Sequence, residues 1–340
     1  MNFTDKNDLF LEPKTTQYGS HMVMTNVNKH TRSKFINIDT RFRDEYNYND
    51  DSVYNITLPD RYKYNITLPE RITNAKTLTI KTIEIPMTFY NISNNLGNNY
   101  FTIYNETINS TFIVIIPDGY YATIQSLIAA IQTQLDFCFI IPGFSSNFTI
   151  TTTASGNVQI IANSASSGAT NGSTDWKYTI NFATDKYNFK SSLGWILGFR
   201  NPTYKCDSTN ANWYSNPAPL STQLVTALQP SILTVPAIPK YLYLSMDEFN
   251  KGVQNSFVTP LSNAFINKNV VARVTVDQST YAYGSILIAN IYNGLLVSDV
   301  RSYNGKVDLQ RFNIQLLNET GMPIDLNGQD FSFCIEATYE

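Results

Sequence analysis

Only two imidazoles occur in this 340-residue sequence, His21 and His30. Both fall ahead of the first apolar periodic segment. Histidine is the usual proton carrier of nucleophilic and acid–base catalysis near neutral pH. Ser-His-Asp and Cys-His mechanisms therefore have almost no material here. HExxH metal pairs, the G-x-S-x-G elbow and phosphate-cradling glycine loops are absent from the sequence. Cys138, Cys206 and Cys334 stand far apart with no paired spacing, which predicts reduced, mostly buried thiols and neither a disulfide framework nor a zinc site. Asp44, Glu84, Asp247, Glu248, Asp308, Asp325 and Asp330 could supply the two carboxylates of a glycosidase. Most of them sit at strand ends or turns, where Asp serves turn geometry and Glu is solvated. The expectation is no enzyme, no catalytic residue, no metal and no cofactor.

The densest charged cluster is Asp39, Arg41, Arg43 and Asp44. A planar guanidinium is suited to bidentate pairing with a carboxylate across an interface. Such a cluster either locks one subunit to another or forms internal salt bridges at a strand end. A second group, Arg301, Tyr303, Asp308 and Arg311, flanks Asn304-Gly305, a dipeptide that favours a hairpin turn. Val307, Leu309, Phe312 and Ile314 slip register between Gln310 and Arg311, which predicts a bulge that redirects Arg311. The candidate subunit-interface residues are Asp39, Arg41, Arg43, Asp44, Arg301 and Arg311.

These residues require a β framework to position them. Phe35, Ile36 and Ile38 lead a strand into the first cluster. YNITLPDRYK (54–63) is followed by the near-copy YNITLPER (64–71), in which Ile and Leu alternate with polar residues until Pro. Leu78, Ile80, Ile83 and Ile85 alternate but slip at Lys81-Thr82, the pattern of a β-bulge. From about 97 to 200 the pattern differs. Strands at Tyr100–Tyr104 and Phe112–Ile116 lead through Pro117-Asp118-Gly119 to a helix, with Ile124, Leu127, Ile128, Ile131 and Leu135 at helical spacing and Thr123 as N-cap. Further strands follow at Phe148–Thr152 and Val158–Ala162. Residues 201–237, rich in Pro, Ser, Asn and Thr, read as a loop. Alternation then resumes in Tyr241–Met246, Val270–Val276, Ile286–Tyr292, Val307–Leu316 and Phe331–Tyr339, with turns at Asn293-Gly294 and Asn327-Gly328. In the last strand Phe331, Phe333, Ile335, Ala337 and Tyr339 share one face.

Composition narrows the function classes. Hydrophobic residues make up 43% and charged residues 15%, with 22 Tyr and 20 Phe, enough for a packed core. The low charge leaves a surface of Asn, Ser, Thr and Tyr, which suits a protein largely covered by neighbours. A net charge of −3 with scattered basic residues lacks the footprint of a nucleic-acid binder. No apolar run approaches the roughly 20 residues that a membrane-spanning helix needs, and the opening MNFTDKNDLFLEPK has no secretory apolar core. The Asn-X-Ser/Thr sites are therefore read as compositional. Residues 1–33 lack periodicity and read as an extended arm that orders against a partner surface.

The run Phe35-Ile-Asn-Ile-Asp-Thr-Arg-Phe-Arg-Asp44, with Tyr64-Asn-Ile-Thr-Leu-Pro69, Ile83-Glu-Ile-Pro86 and Tyr90-Asn91, resembles the opening of penton-type minor capsid proteins of nucleocytoplasmic large DNA viruses. Arg301-Ser-Tyr-Asn-Gly305, Val307-Asp-Leu-Gln-Arg-Phe312 and Gly321-Met-Pro-Ile-Asp-Leu-Asn-Gly-Gln-Asp-Phe-Ser-Phe333 look like that family's terminal strands. The middle, Gly119-Tyr-Tyr and Leu197-Gly-Phe199, is similar too. The tandem YNITLP copy departs from the family pattern and leaves open which copy forms the core strand. Periodicity alone gives antiparallel β structure with an α+β insertion. The resemblance implies a jelly-roll β-sandwich built from 34–96 and 201–340, with 97–200 inserted. It further implies a structural virion protein of the capsid vertex, assembled in host cytoplasm as a pentamer that contacts the major capsid protein and other minor capsid proteins. The alternatives are another minor capsid protein beside the vertex, or a lectin-like receptor-attachment protein.

Overall fold

The computed structural model describes residues 31–44, 62–106, 109–138, 148–154, 156–162, 177–182, 189–207, 214–215, 227–228, 239–249, 258, 260, 266 and 269–340. The 1–30 part of the expected arm, both histidines and the first YNITLP copy lie outside them. The strands begin with β1 (Arg32–Asp39) and β2 (Tyr64–Pro86). A middle group follows: β3 (Tyr100–Asn105), β4 (Ser110–Ile115), β5 (Phe148–Thr152), β6 (Val158–Ala162), β7 (Lys177–Asn181), β8 (Thr203–Asp207), β9 (Tyr214–Ser215) and β10 (Ala227–Leu228). The last group is β11 (Tyr241–Asp247), β12 (Val270–Thr275), β13 (Ile286–Asn290), β14 (Leu296–Ser298), β15 (Arg301–Leu317) and β16 (Ser332–Tyr339).

Hydrogen-bonded pairing, all antiparallel, assembles the first and last groups into two sheets that share β2. β16 lies between β1 and the C-terminal half of β2, and β13 pairs with the other edge of that half, giving the order β1-β16-β2-β13. The N-terminal half of β2 pairs with β15, which continues to β11 and β12, giving β2-β15-β11-β12 with β14 at the edge. These two four-stranded orders are those of a jelly-roll β-sandwich, so the expected fold class holds. One core lies between the sheets. Ile80, Ile335 and Phe333 from the first sheet are buried with Leu244, Val274 and Phe312 from the second. In β16 the residues Phe333, Ile335 and Ala337 point inward, as the alternation predicts, and Tyr339 packs against the same core half-buried.

A strand that serves two sheets must turn a corner, and bulges supply it. Pairing between β2 and β15 shifts near Ala75 and Ile72, and Asn74 between them has φ 54°, in the left-handed region. Its N–H donates to Asp308 Oδ1 at 3.2 Å. Further along, Cys334 pairs with Thr82 while Ile335 pairs with Ile80, so Lys81 is the extra residue. That is the slip read in the sequence.

Asn304-Gly305 is a correction. It is no hairpin but a bulge within the continuous β15, where pairing passes from Ser302–Thr77 to Val307–Ala75. The chain on both sides pairs with the same neighbour, β2, so it continues instead of reversing. Asn293-Gly294 and Asn327-Gly328 do fall at turns.

Between β2 and β11 the chain builds a second core on a five-stranded sheet, β4-β3-β7-β8-β9, and a three-stranded one, β10-β6-β5. Helix α1 (Ile124–Cys138) buries Leu127, Ile128, Ile131 and Leu135 against them, and Thr123 Oγ1 accepts from Ser126 N–H at 3.2 Å as the N-cap. Phe101, Phe182, Phe199 and Tyr204 form its aromatic centre. A single helical turn, Leu193–Ile196, packs so closely there that a Cβ on Gly194 would lie 2.4 Å from Phe182. The loop expected over 201–237 instead contains β8, β9 and β10. β8 gains its place through backbone pairing with β7 and a buried anchor, Tyr204, a pattern with little apolar periodicity. Stacked Tyr120 and Tyr283, with Gln278 donating to Tyr120 Oη, tie this part to the jelly roll. Cys138 and Cys334 are free, half-buried thiols.

Candidate subunit interface

The strand end after β1 is a compact charged corner. Asp39 caps a turn of 3-10 helix, Thr40–Phe42, by accepting from Arg41 N–H at 3.0 Å, and its carboxylate also takes Arg41 Nε at 2.9 Å. Those hydrogen bonds from Arg41 hold the Asp39 carboxyl below its ordinary pKa. Arg41 itself is 67% exposed beside the exposed Phe42 ring. Arg43 points the other way. Only 4% exposed, it pairs with Asp330 at 2.5 Å and lies over the Tyr64 ring at 4.5 Å. Asp44 accepts from Thr67 N–H and Oγ1 at 3.1 and 2.7 Å, fastening the corner to β2. Of the four, Arg41 is the cation left at the surface.

The second group divides in the same way. Arg301 is 3% exposed, and its Nη1 donates to both carboxylate oxygens of Glu248 at 2.8 and 2.7 Å. Tyr303 Oη donates to Glu248 Oε1 at 2.7 Å. Burial, and then the negative Glu248, push the Tyr303 phenol well above its ordinary pKa. Arg301 Nη2 is buried with no hydrogen-bond partner. Arg311 is exposed and has no ion pair among the described residues. It stands at the expected slip: Leu309 pairs with Ile72 and Arg311 with Thr67, so four residues of β2 face Gln310 alone. That bulge forms one wall of an open groove of about 390 Å³ lined by Arg71, Glu248, Phe249, Asp308, Gln310 and Arg311. Arg71 donates to Gln310 Oε1 from Nε and Nη2 at 3.3 and 3.2 Å, and lies 3.6 Å from Asp308.

Sequence reasoning named Arg43 and Arg301 without their partners. Asp330 and Glu248 come from distant strand ends, and only the run Asp247-Glu248-Phe249 closing an apolar strand hinted at a special site. It also missed an exposed apolar row. β13 turns Leu287 and Ala289 inward and Ile286 and Ile288 outward, and Ile291, Tyr292, Val297 and Val300 are exposed nearby, with Tyr292 at 92%. Among the described residues no group of His, Cys, Asp and Glu is placed to hold a metal ion, and no helix is long and apolar enough to cross a membrane.

Pairing and core thus define a jelly-roll protein with an inserted second core and charged corners. Among solved structures the chain is similar to the mavirus penton protein, at 10% identity and a TM-score of 0.42, over 91% of this chain and 99% of that one. No protein-family model and no curated protein sequence matches.

Proposed function

We propose that this chain is a structural virion protein, a penton-type component of the capsid vertex. Copies close a five-membered ring and contact the major capsid protein and other minor capsid proteins. Residues 34–96 and about 239–340 form the shell-building jelly roll, and the second core, which takes in β8, β9 and β10 from the expected 201–340 part, is carried on it. A fold alone does not fix a function. The observation that carries this reading is the outward apolar row on β13 and around β14. Isoleucines on the solvent face of a sheet, next to Tyr292, Val297 and Val300, form the kind of surface that a neighbouring protein covers. The resemblance of the terminal strands to penton-type proteins supplies the vertex. In a ring the contact is heterologous: one patch meets a different patch on the next copy. Arg41 is the interface cation in this reading. Asp39 orients Arg41, while Arg43, Asp44 and Arg301 keep the two corners rigid.

Native mass spectrometry of the purified chain tests this. A closed pentamer that falls to monomer when Ile288→Lys is introduced is the expected result. A wild-type chain that remains monomeric or trimeric at high concentration overturns it.

A further inference from the structure

We infer that the groove between β2 and β15 is the docking site for the chain's own N-terminal segment Asp8-Leu9-Phe10-Leu11-Glu12. The inference stands apart from the vertex reading, because it concerns a contact within one chain.

Three observations point to the groove. The first is charge. Arg71 and Arg311 line the groove with Glu248 and Asp308; Glu248 is taken by the buried Arg301 and Asp308 lies 3.6 Å from Arg71, which leaves Arg311 as the lining cation with no ion pair among the described residues. A guanidinium at a rim fits a carboxylate.

The second is a strained aromatic. Phe249 has φ 59°, a conformation that a bulky side chain rarely adopts, and its N–H is held by Asp247 Oδ1 at 2.9 Å. The ring is presented to solvent, 61% exposed, at the groove. Strain of this kind persists where a function uses it.

The third is position. β1 starts at Arg32, opposite Tyr339, which pairs with Ala75, which pairs with Val307 beside the groove residue Asp308. Three strand spacings amount to about 15 Å. Lys34 of β1 also pairs with Glu70, the neighbour of Arg71 in the groove wall.

The occupant follows from the sequence that leads into β1. Asp8-Leu-Phe-Leu-Glu12 is its acidic, apolar stretch, with no base inside it. The residues between Glu12 and Arg32 could span roughly 60 Å if extended, far more than is needed. A tether of that length gives the segment a high effective concentration at its own groove. Phe10 would lie against Phe249 and an acidic side chain against Arg311.

The test uses the full chain with p-benzoylphenylalanine at Phe10, irradiated as a mixture of isotope-labelled and unlabelled protein. The expected cross-link joins the N-terminal peptide to the peptides that carry Phe249 or Gln310, within one isotopic chain. Arg311→Glu should lower its yield severalfold, and Glu12→Arg added to it should restore the yield. Phe249→Gly removes the ring but relieves the backbone, so it should weaken the cross-link without loss of thermal stability. Cross-links between light and heavy chains, cross-links to other surfaces, or a yield indifferent to Arg311→Glu would each overturn the inference. Each of these results can be read whether or not pentamers form.

Discussion

The corner after β1 and the start of β15 use the same chemistry in opposite surroundings. At the corner, Arg41 and Asp39 meet in water, next neighbours but one along the chain. At the start of β15, Arg301 pairs with Leu78 of β2 and meets, in the buried interior, Glu248 from just beyond the end of β11. An exposed pair contributes little because water already solvates both charges. A buried pair adds little net stability either, yet removing one partner strands the other in a medium that cannot solvate it. The first arrangement leaves a charge free for a neighbour, and the second fixes the fold around it.

The sharpest break of this contrast is Glu248→Ala, which leaves Arg301 buried and unpaired and should destabilise the jelly roll by about 3–5 kcal/mol in chemical denaturation. A loss under 1 kcal/mol would mean that water reaches Arg301. Next comes Asp330→Ala. It removes the carboxylate from Arg43, which keeps the Tyr64 ring, and the expected loss is about 3 kcal/mol by the same measurement.

Tyr303→Phe should lose about 1.5 kcal/mol at neutral pH, for one hydrogen bond to a charge. The folded phenol has a raised pKa, so its contribution is intact below the ordinary tyrosine pKa of about 10 and declines as pH rises beyond it. The variant should therefore show a shallower alkaline loss of stability than the wild type, and identical slopes would assign that loss to other tyrosines. Arg41→Ala is the smallest. Asp39 has a lowered folded pKa, so the pair contributes only above the unfolded aspartate range and is lost as pH falls through it. At neutral pH the thermal midpoint should barely move, while oligomer formation weakens.

What could be read beforehand divides along the same line. Alternation identified the buried face of β16, the bulge at Lys81 and the stripe of α1, because each is a property of consecutive residues. The sequence singles out six charges at the two corners, but not which of them face inward. Arg43 meets Asp330 and Arg301 meets Glu248 only once strands far apart in sequence are in register. Asn304-Gly305 misled for a related reason: the dipeptide states a local preference, and pairing on both sides with β2 overrules it. β13 carries isoleucine on its outward face, where periodicity assigns only polar residues, so surface apolarity escaped the same logic that found the core.

The position of β16 also bears on how the chain is made. It slots between β1 and β2, so an early strand and its partner come from opposite ends of the described sequence, and among the described residues β1 has no ladder until β16 is synthesised. Folding of the first sheet thus waits for β16 to emerge, slowly, as non-local pairing dictates. A chain cut short before Ser332 would present two unpaired strand edges, a surface prone to aggregate. Docking of β16 becomes a checkpoint for entry into any assembly, enforced by topology and needing no separate inspector.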